Sequence, residues 1–159
     1  MSSRTPPELE SALGPAIGDA VARTLAVVGL AGVALIHLLD AHDTFLSAPY
    51  KGWLYVSLIV GSLGTAAVLV RRSDSRAWTA ALLLPLGAMS AFVLSRTVGL
   101  PNGADDIGNW WEPLGLASLF VEGSLVALAA AVLGEKAKTA AEPSLSFRVA
   151  GPSFERSMR

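Results

Sequence analysis

The sequence predicts an all-α polytopic membrane protein, an up-down bundle of four transmembrane helices with both termini in the cytoplasm. Three observations carry that expectation. The 159 residues are 52% hydrophobic and only 16% charged, with a mean hydropathy of +0.52, outside the composition of soluble domains. The stretches 24–39, 52–70, 77–95 and 114–134 hold no Lys or Arg, and a helix rising about 1.5 Å per residue needs roughly 20 apolar residues to cross a bilayer core. Basic residues gather on one side of these stretches: Arg4, Arg23, Arg71, Arg72, Arg76, Lys136, Lys138, Arg148, Arg156 and Arg159 flank one face, and only Lys51 and Arg96 the other. The positive-inside rule then puts both termini and the 71–76 link in the cytoplasm.

Residues 1–15, with Pro6, Pro7, Gly14 and Pro15, read as a flexible cytoplasmic lead-in. The transmembrane domain is expected over 16–134, with spans at about 16–40, 52–70, 77–95 and 114–134. The first span extends back through Asp19 and Arg23, an i,i+4 pair suited to the headgroup region. Acidic residues precede it and no small-x-small site follows, so it reads as a retained span and not a cleaved signal. Two outer loops are expected, Asp40 to Lys51 and Arg96 to Pro113. The short link Arg71-Arg72-Ser73-Asp74-Ser75-Arg76 makes spans two and three antiparallel neighbours. Tyr50, Trp53, Tyr55, Trp110 and Trp111 form an outer aromatic belt and Trp78 an inner one. Gly29 and Gly32, Gly61 and Gly64, and Gly115 and Gly123 mark sites of close helix approach. Pro85 should loosen one turn of span three. Residues 135–159, rich in Ser and mixed charge, read as a disordered cytoplasmic tail.

Polar residues concentrate in the outer half, where His37, Asp40, Arg96, Glu112, Ser118 and Glu122 outline a candidate polar vestibule. Glu122 lies near the midplane, where a carboxylate costs on the order of 3 kcal/mol on insertion scales, so it must face the bundle or water. His37 is its natural partner, with Ser118 one turn above on the same face. Measured from Asp40 and Leu114 as boundaries, however, His37 and Glu122 differ in depth by some 7 to 8 Å. Direct contact then requires span one to sit deeper. His37, Asp40, Glu112 and Glu122 are weak candidates for a metal, since no span shows tight ligand spacing. Asp105-Asp106 reads as a solvated turn.

Composition limits the chemistry. There are 12 Lys+Arg against 13 Asp+Glu and a net charge of −1, so no basic field invites nucleic acid. Without cysteine there is no disulfide, thiolate metal site or iron–sulfur cluster, and two histidines five residues apart on one segment cannot bracket a haem iron within one chain, which leaves only a homodimer for that ligation. No Ser-His-Asp set or phosphate-cradling glycine loop is present, so no cofactor and no enzymatic activity are expected.

The segments HLLDAHDTFLSAPYKGWLY, VLSRTVGLP and NWWEPLGLASLFVEG, between His37 and Glu122, resemble those of small, functionally unassigned four-span membrane proteins of high-GC actinobacteria. Nine Arg against three Lys, and abundant Ala, fit that source. The resemblance implies the fold and a bacterial cytoplasmic membrane, and it transfers no functional residue. The expected role is that of an accessory or structural subunit of a membrane assembly, surrounded by lipid and joined to copies of itself or to a larger complex. The alternative is a proton- or cation-linked carrier or sensor, with an outer-facing vestibule centred on Glu122 and His37.

Overall fold

The computed structural model describes the backbone of residues 7–149 and the side chains of 13–141. Four helices account for nearly all of it: α1 (Pro7–Ser47), α2 (Pro49–Arg71), α3 (Ser75–Thr97) and α4 (Pro113–Val149). All four contain stretches long and apolar enough to cross a membrane, and there is no strand among the described residues. The chain is an all-α four-helix bundle with the apolar surface of a multi-pass membrane protein. Leu25, Val28, Leu35, Leu38 and Leu39 of α1 point outward, which a bilayer accommodates at no cost.

Helix α1 packs on α2 and α4, and α3 on α4 and α2; α1 and α3 meet only marginally across the diagonal. The neighbours in sequence are therefore neighbours in space, and α1 with α4 closes the ring. Small residues set the approach of α1 to α4. A side chain at Gly32 would press on Val121 at 3.3 Å, and Leu125 lies against Gly29. Gly61 faces Leu84 of α3, whereas Gly64 meets no neighbour and is no contact point. Helix α3 runs unbroken through the buried Pro85.

The two ends differ. At the basic end, near the 71–76 link, Leu30 and Val33 of α1, Leu69 of α2, Trp78 of α3 and Leu125 of α4 form a sealed apolar core. Trp78 is fully buried there and not part of an interfacial belt. It fits because Ser73 Oγ accepts its indole N–H at 3.1 Å, and that same hydroxyl donates to Asp19 at 2.7 Å. Asp19 also pairs with Arg23 at 3.0 Å, and Lys136 donates to the Ser73 carbonyl at 3.2 Å. The link is thus held by side chains from α1, α3 and α4.

At the opposite, loop end the expected first loop, Asp40 to Lys51, is absent. Helix α1 continues to Ser47, and Ala48 alone joins it to α2. Nothing in 40–47 breaks a helix, and the stop comes only where Pro49 forces Ala48 into extended backbone (φ −152°). Gly52 permits the sharp turn, since any side chain there would run into the ring of Phe45. The second loop is ordered by Gly99, at φ +77° just past the end of α3, and Gly108, at φ +78°. Helix also occupies 7–15 and 135–149, within the segments read as lead-in and tail. The remainder of both tails lies outside the described residues.

Candidate functional site

The extra two turns of α1 decide the geometry of the polar cluster. His37 lies ten residues, about 15 Å, below the end of α1, and Glu122 nine residues, about 13.5 Å, below the start of α4. The depth mismatch computed from Asp40 as boundary therefore disappears. His37 Nε2 sits 3.8 Å from Glu122 Oε1, and Ser118 Oγ donates to the same oxygen at 2.9 Å. Glu122 is 1% exposed, the most deeply placed charged-type residue among those described.

His37 Nδ1 is 2.9 Å from the Val33 carbonyl. A carbonyl only accepts, so Nδ1 carries the proton, and Nε2, which faces Glu122, is the nitrogen that gains or loses one. Tyr55 of α2 stands edge-on to the imidazole, with ring centroids 4.7 Å apart. Its hydroxyl donates to Asp40 Oδ2 at 3.1 Å, as does Thr44 at 3.2 Å. Asp40, one turn above His37, is thus held by two neutral donors and no cation.

Arg96 ends α3, 6% exposed, and organises the mouth. Its Nη1 donates to Asp106 Oδ1 at 2.8 Å and its Nη2 to Glu112, and its guanidinium lies 4.7 Å from the centre of the Phe92 ring. Lys51 of α2 reaches the other oxygen of Asp106 at 3.1 Å. Asp106 is therefore a bridging anchor and not a solvated turn residue. Partial burial works to raise its pKa, but the hydrogen bonds and charges of Lys51 and Arg96 outweigh that and hold it below the ordinary carboxylate value. Tyr50 adds a hydrogen bond to the Pro101 carbonyl at 2.7 Å, so the loop is strapped across α2 and α3.

These groups surround one cavity of about 790 Å³ in the loop-end half of the bundle. His37, Asp40, Arg96, Glu112, Ser118 and Glu122 all line it, drawn from α1, α3, the second loop and α4. Sequence reasoning missed Tyr55, Thr44, Lys51 and Asp106. Tyr55 was legible only as an amphipathic aromatic, and its role depends on α2 facing α1 at that level. His42 lies exposed and takes no part. His37, Asp40, Glu112 and Glu122 do not form a metal-binding set; no three His, Asp or Glu side chains converge in that way among the described residues. Below the polar mouth the walls are Leu54, Leu58, Leu83, Leu84 and Ala88, with Glu122 and His37 at depth. The arrangement can hold a solute against apolar walls and exchange a proton at its deep end. No protein-family model matches the chain, and neither the curated proteins nor the solved structures give a match.

Proposed function

We propose that this protein is a proton-linked carrier or sensor of the bacterial cytoplasmic membrane, and that the loop-end cavity is an outward-facing vestibule. The observation supporting this is the convergence, around a single cavity, of six polar residues from separate parts of the chain, with a buried acid–imidazole pair at depth. Structural pinning of α4 to α1 needs no such volume, and the tight Gly32–Val121 approach already supplies it. The ten-to-two bias of basic residues supports the outward orientation. The likeness to unassigned actinobacterial proteins supports the bacterial setting.

In this mechanism Glu122 and His37, 3.8 Å apart, together carry one exchangeable proton. Ser118 holds one carboxylate oxygen at a fixed distance, the Val33 carbonyl fixes the imidazole tautomer, and Tyr55 confines the ring. The groups facing the pair are Tyr55 from α2 and, toward the mouth, Asp40, Glu112 and Arg96; the nearby wall of α3 is apolar. Proton release at depth would leave an anion that a bound cation or a change in loop-end contacts can offset.

The test is infrared difference spectroscopy of the protein in lipid as pH is stepped. The reading expects a protonated-carboxyl band that appears and disappears reversibly, is lost in Glu122→Gln, and shifts in His37→Gln. The amide keeps shape and most hydrogen bonding, so Glu122→Gln should change stability by no more than about 1 kcal/mol. An acid band that ignores bulk pH, or one unchanged in Glu122→Gln, removes the proton-linked vestibule. A second reading, an accessory subunit, is favoured by the 84% exposure of Trp111 in the loop before α4. A partner that co-purifies stoichiometrically, and is lost on Trp111→Ala, would support it.

A further inference from the structure

Three features of the cavity go beyond proton exchange and bear on what occupies it. The first is charge. The ionisable side chains lining it are Asp40, Asp43, Asp106, Glu112 and Glu122 against Lys51 and Arg96, with His37 besides. Both cations are engaged: Lys51 by Asp106, and Arg96 by Asp106 and Glu112. Asp40 and Asp43 have no cationic partner among the described residues, and Glu122 has only His37. Glu122 Oε1 takes both the Ser118 hydrogen bond and the His37 approach, while Oε2 accepts no hydrogen bond. A carboxylate oxygen without a donor in a cavity wall is a place for positive charge. An anionic headgroup would find no free cation among the described residues that line the cavity.

The second feature is an opening in the side wall. Leu54 and Ser57 of α2, and Gly87 and Ala91 of α3, line the cavity and are exposed, so no neighbouring helix covers them there. A side chain at Gly87 would meet no atom within 4 Å. The two helices close only lower down, where Gly61 meets Leu84 and where Leu69 and Trp78 join the sealed core. Ala91 and Gly87 lie roughly 9 and 15 Å below the end of α3, so the gap opens at hydrocarbon depth and not into water. The third is size: about 790 Å³ suits an organic molecule and far exceeds a bare ion.

We infer that the vestibule takes a lipophilic cation, an amine or onium group carrying apolar substituents, which enters sideways from the bilayer between α2 and α3. The inference rests on the vestibule reading above and names its ligand class. The cationic centre sits against Glu122 Oε2 and displaces the shared proton, while the substituents lie on Leu54, Leu58, Leu83 and Leu84. Charge balances, because one proton leaves as one monocation binds.

The experiment uses the full chain in nanodiscs with tetraphenylphosphonium as probe, tetramethylammonium as a cation without apolar surface, and decyl sulfate as an apolar anion. The expected result is saturable tetraphenylphosphonium binding with release of about one proton, at least 100-fold weaker tetramethylammonium binding, and no saturable decyl sulfate binding. Glu122→Gln should weaken tetraphenylphosphonium at least tenfold and abolish proton release. Gly87→Phe, whose Cβ meets no atom within 4 Å, should slow its association at least tenfold with an unchanged thermal midpoint. If Gly87→Phe does not fold, Ala91→Trp blocks the same gap. Absent tetraphenylphosphonium binding, equal tetramethylammonium binding, or a preference for decyl sulfate overturns the ligand class. Unaltered association in both gap variants overturns the lateral route. None of these touches the infrared titration of Glu122, so the vestibule and its ligand class fail separately.

Discussion

The two halves of the bundle solve different problems with the same four helices. In the basic-end half, Leu30, Val33, Leu69, Trp78 and Leu125 are buried to within about 2% of fully, and the polar groups are a collar around Ser73 and two small hydroxyls of α2, Ser62 and Thr65. In the loop-end half the helices surround a cavity, and buried polar residues (His37, Ser95, Arg96, Ser118, Glu122) replace the apolar ones. Association in lipid draws on packing and interhelical hydrogen bonds, since exclusion of water contributes little there. One half is therefore specified by shape and the other by charge and hydrogen bonding. That division separates the part that holds the helices together from the part that surrounds the cavity.

The largest effect is expected from breaking the first half. Trp78→Ala removes the bulkiest core side chain and the donor to Ser73, and should cost about 3 kcal/mol, read as loss of helix in denaturant titration in micelles. A cost below about 1 kcal/mol would mean that the sealed core is not what holds the bundle. Arg96→Met should come next, at about 2 kcal/mol, because it strands Glu112 and leaves Asp106 with Lys51 alone, while a long side chain still fills the space beside Phe92. Adding Glu112→Gln should recover part of that loss. If the double variant is no better than the single, Arg96 acts by packing and the mouth is not held by charge.

The halves also differed in how far they could be read from the sequence. The four spans and their antiparallel order followed from hydropathy and link length, because lipid leaves the backbone few alternatives to a helix. Glu122, His37 and Ser118 were legible as a group, since polar residues in an apolar stretch have few places to point. The depth of His37 was not. It depended on where α1 ends, and the stop signal, Pro49, lies nine residues beyond Asp40 in what looked like a loop. Trp78 was misplaced for a related reason: indole suits both an interface and a core, and only the position of Ser73 decides between them. Asp106 was read locally, as part of an acidic turn, whereas its partners Lys51 and Arg96 come from two other elements.

Asp106 supplies the smallest and most local of the expected effects. Its pKa lies below the ordinary carboxylate value because Lys51 and Arg96 stabilise the anion more than burial disfavours it. A carboxyl more acidic in the folded state than in the unfolded one contributes stability above its unfolded pKa, and that contribution is lost as pH falls through the folded pKa. The strap across α2 and α3 should therefore loosen only below about pH 4. With its side chain 38% exposed, solvent screening keeps the effect modest. Hydrogen exchange, corrected for the intrinsic rate at each pH, should show lower amide protection in 98–112 on acidification, with α3 residues near Trp78 unaffected, and Asp106→Asn should show the lower protection already at neutral pH. Acid loosening that persists unchanged in Asp106→Asn would assign the strap to the other carboxylate on Arg96, Glu112. Equal loosening at both ends of the bundle would mean that its halves do not respond separately, and that the charge-built mouth and the shape-built core form one cooperative unit.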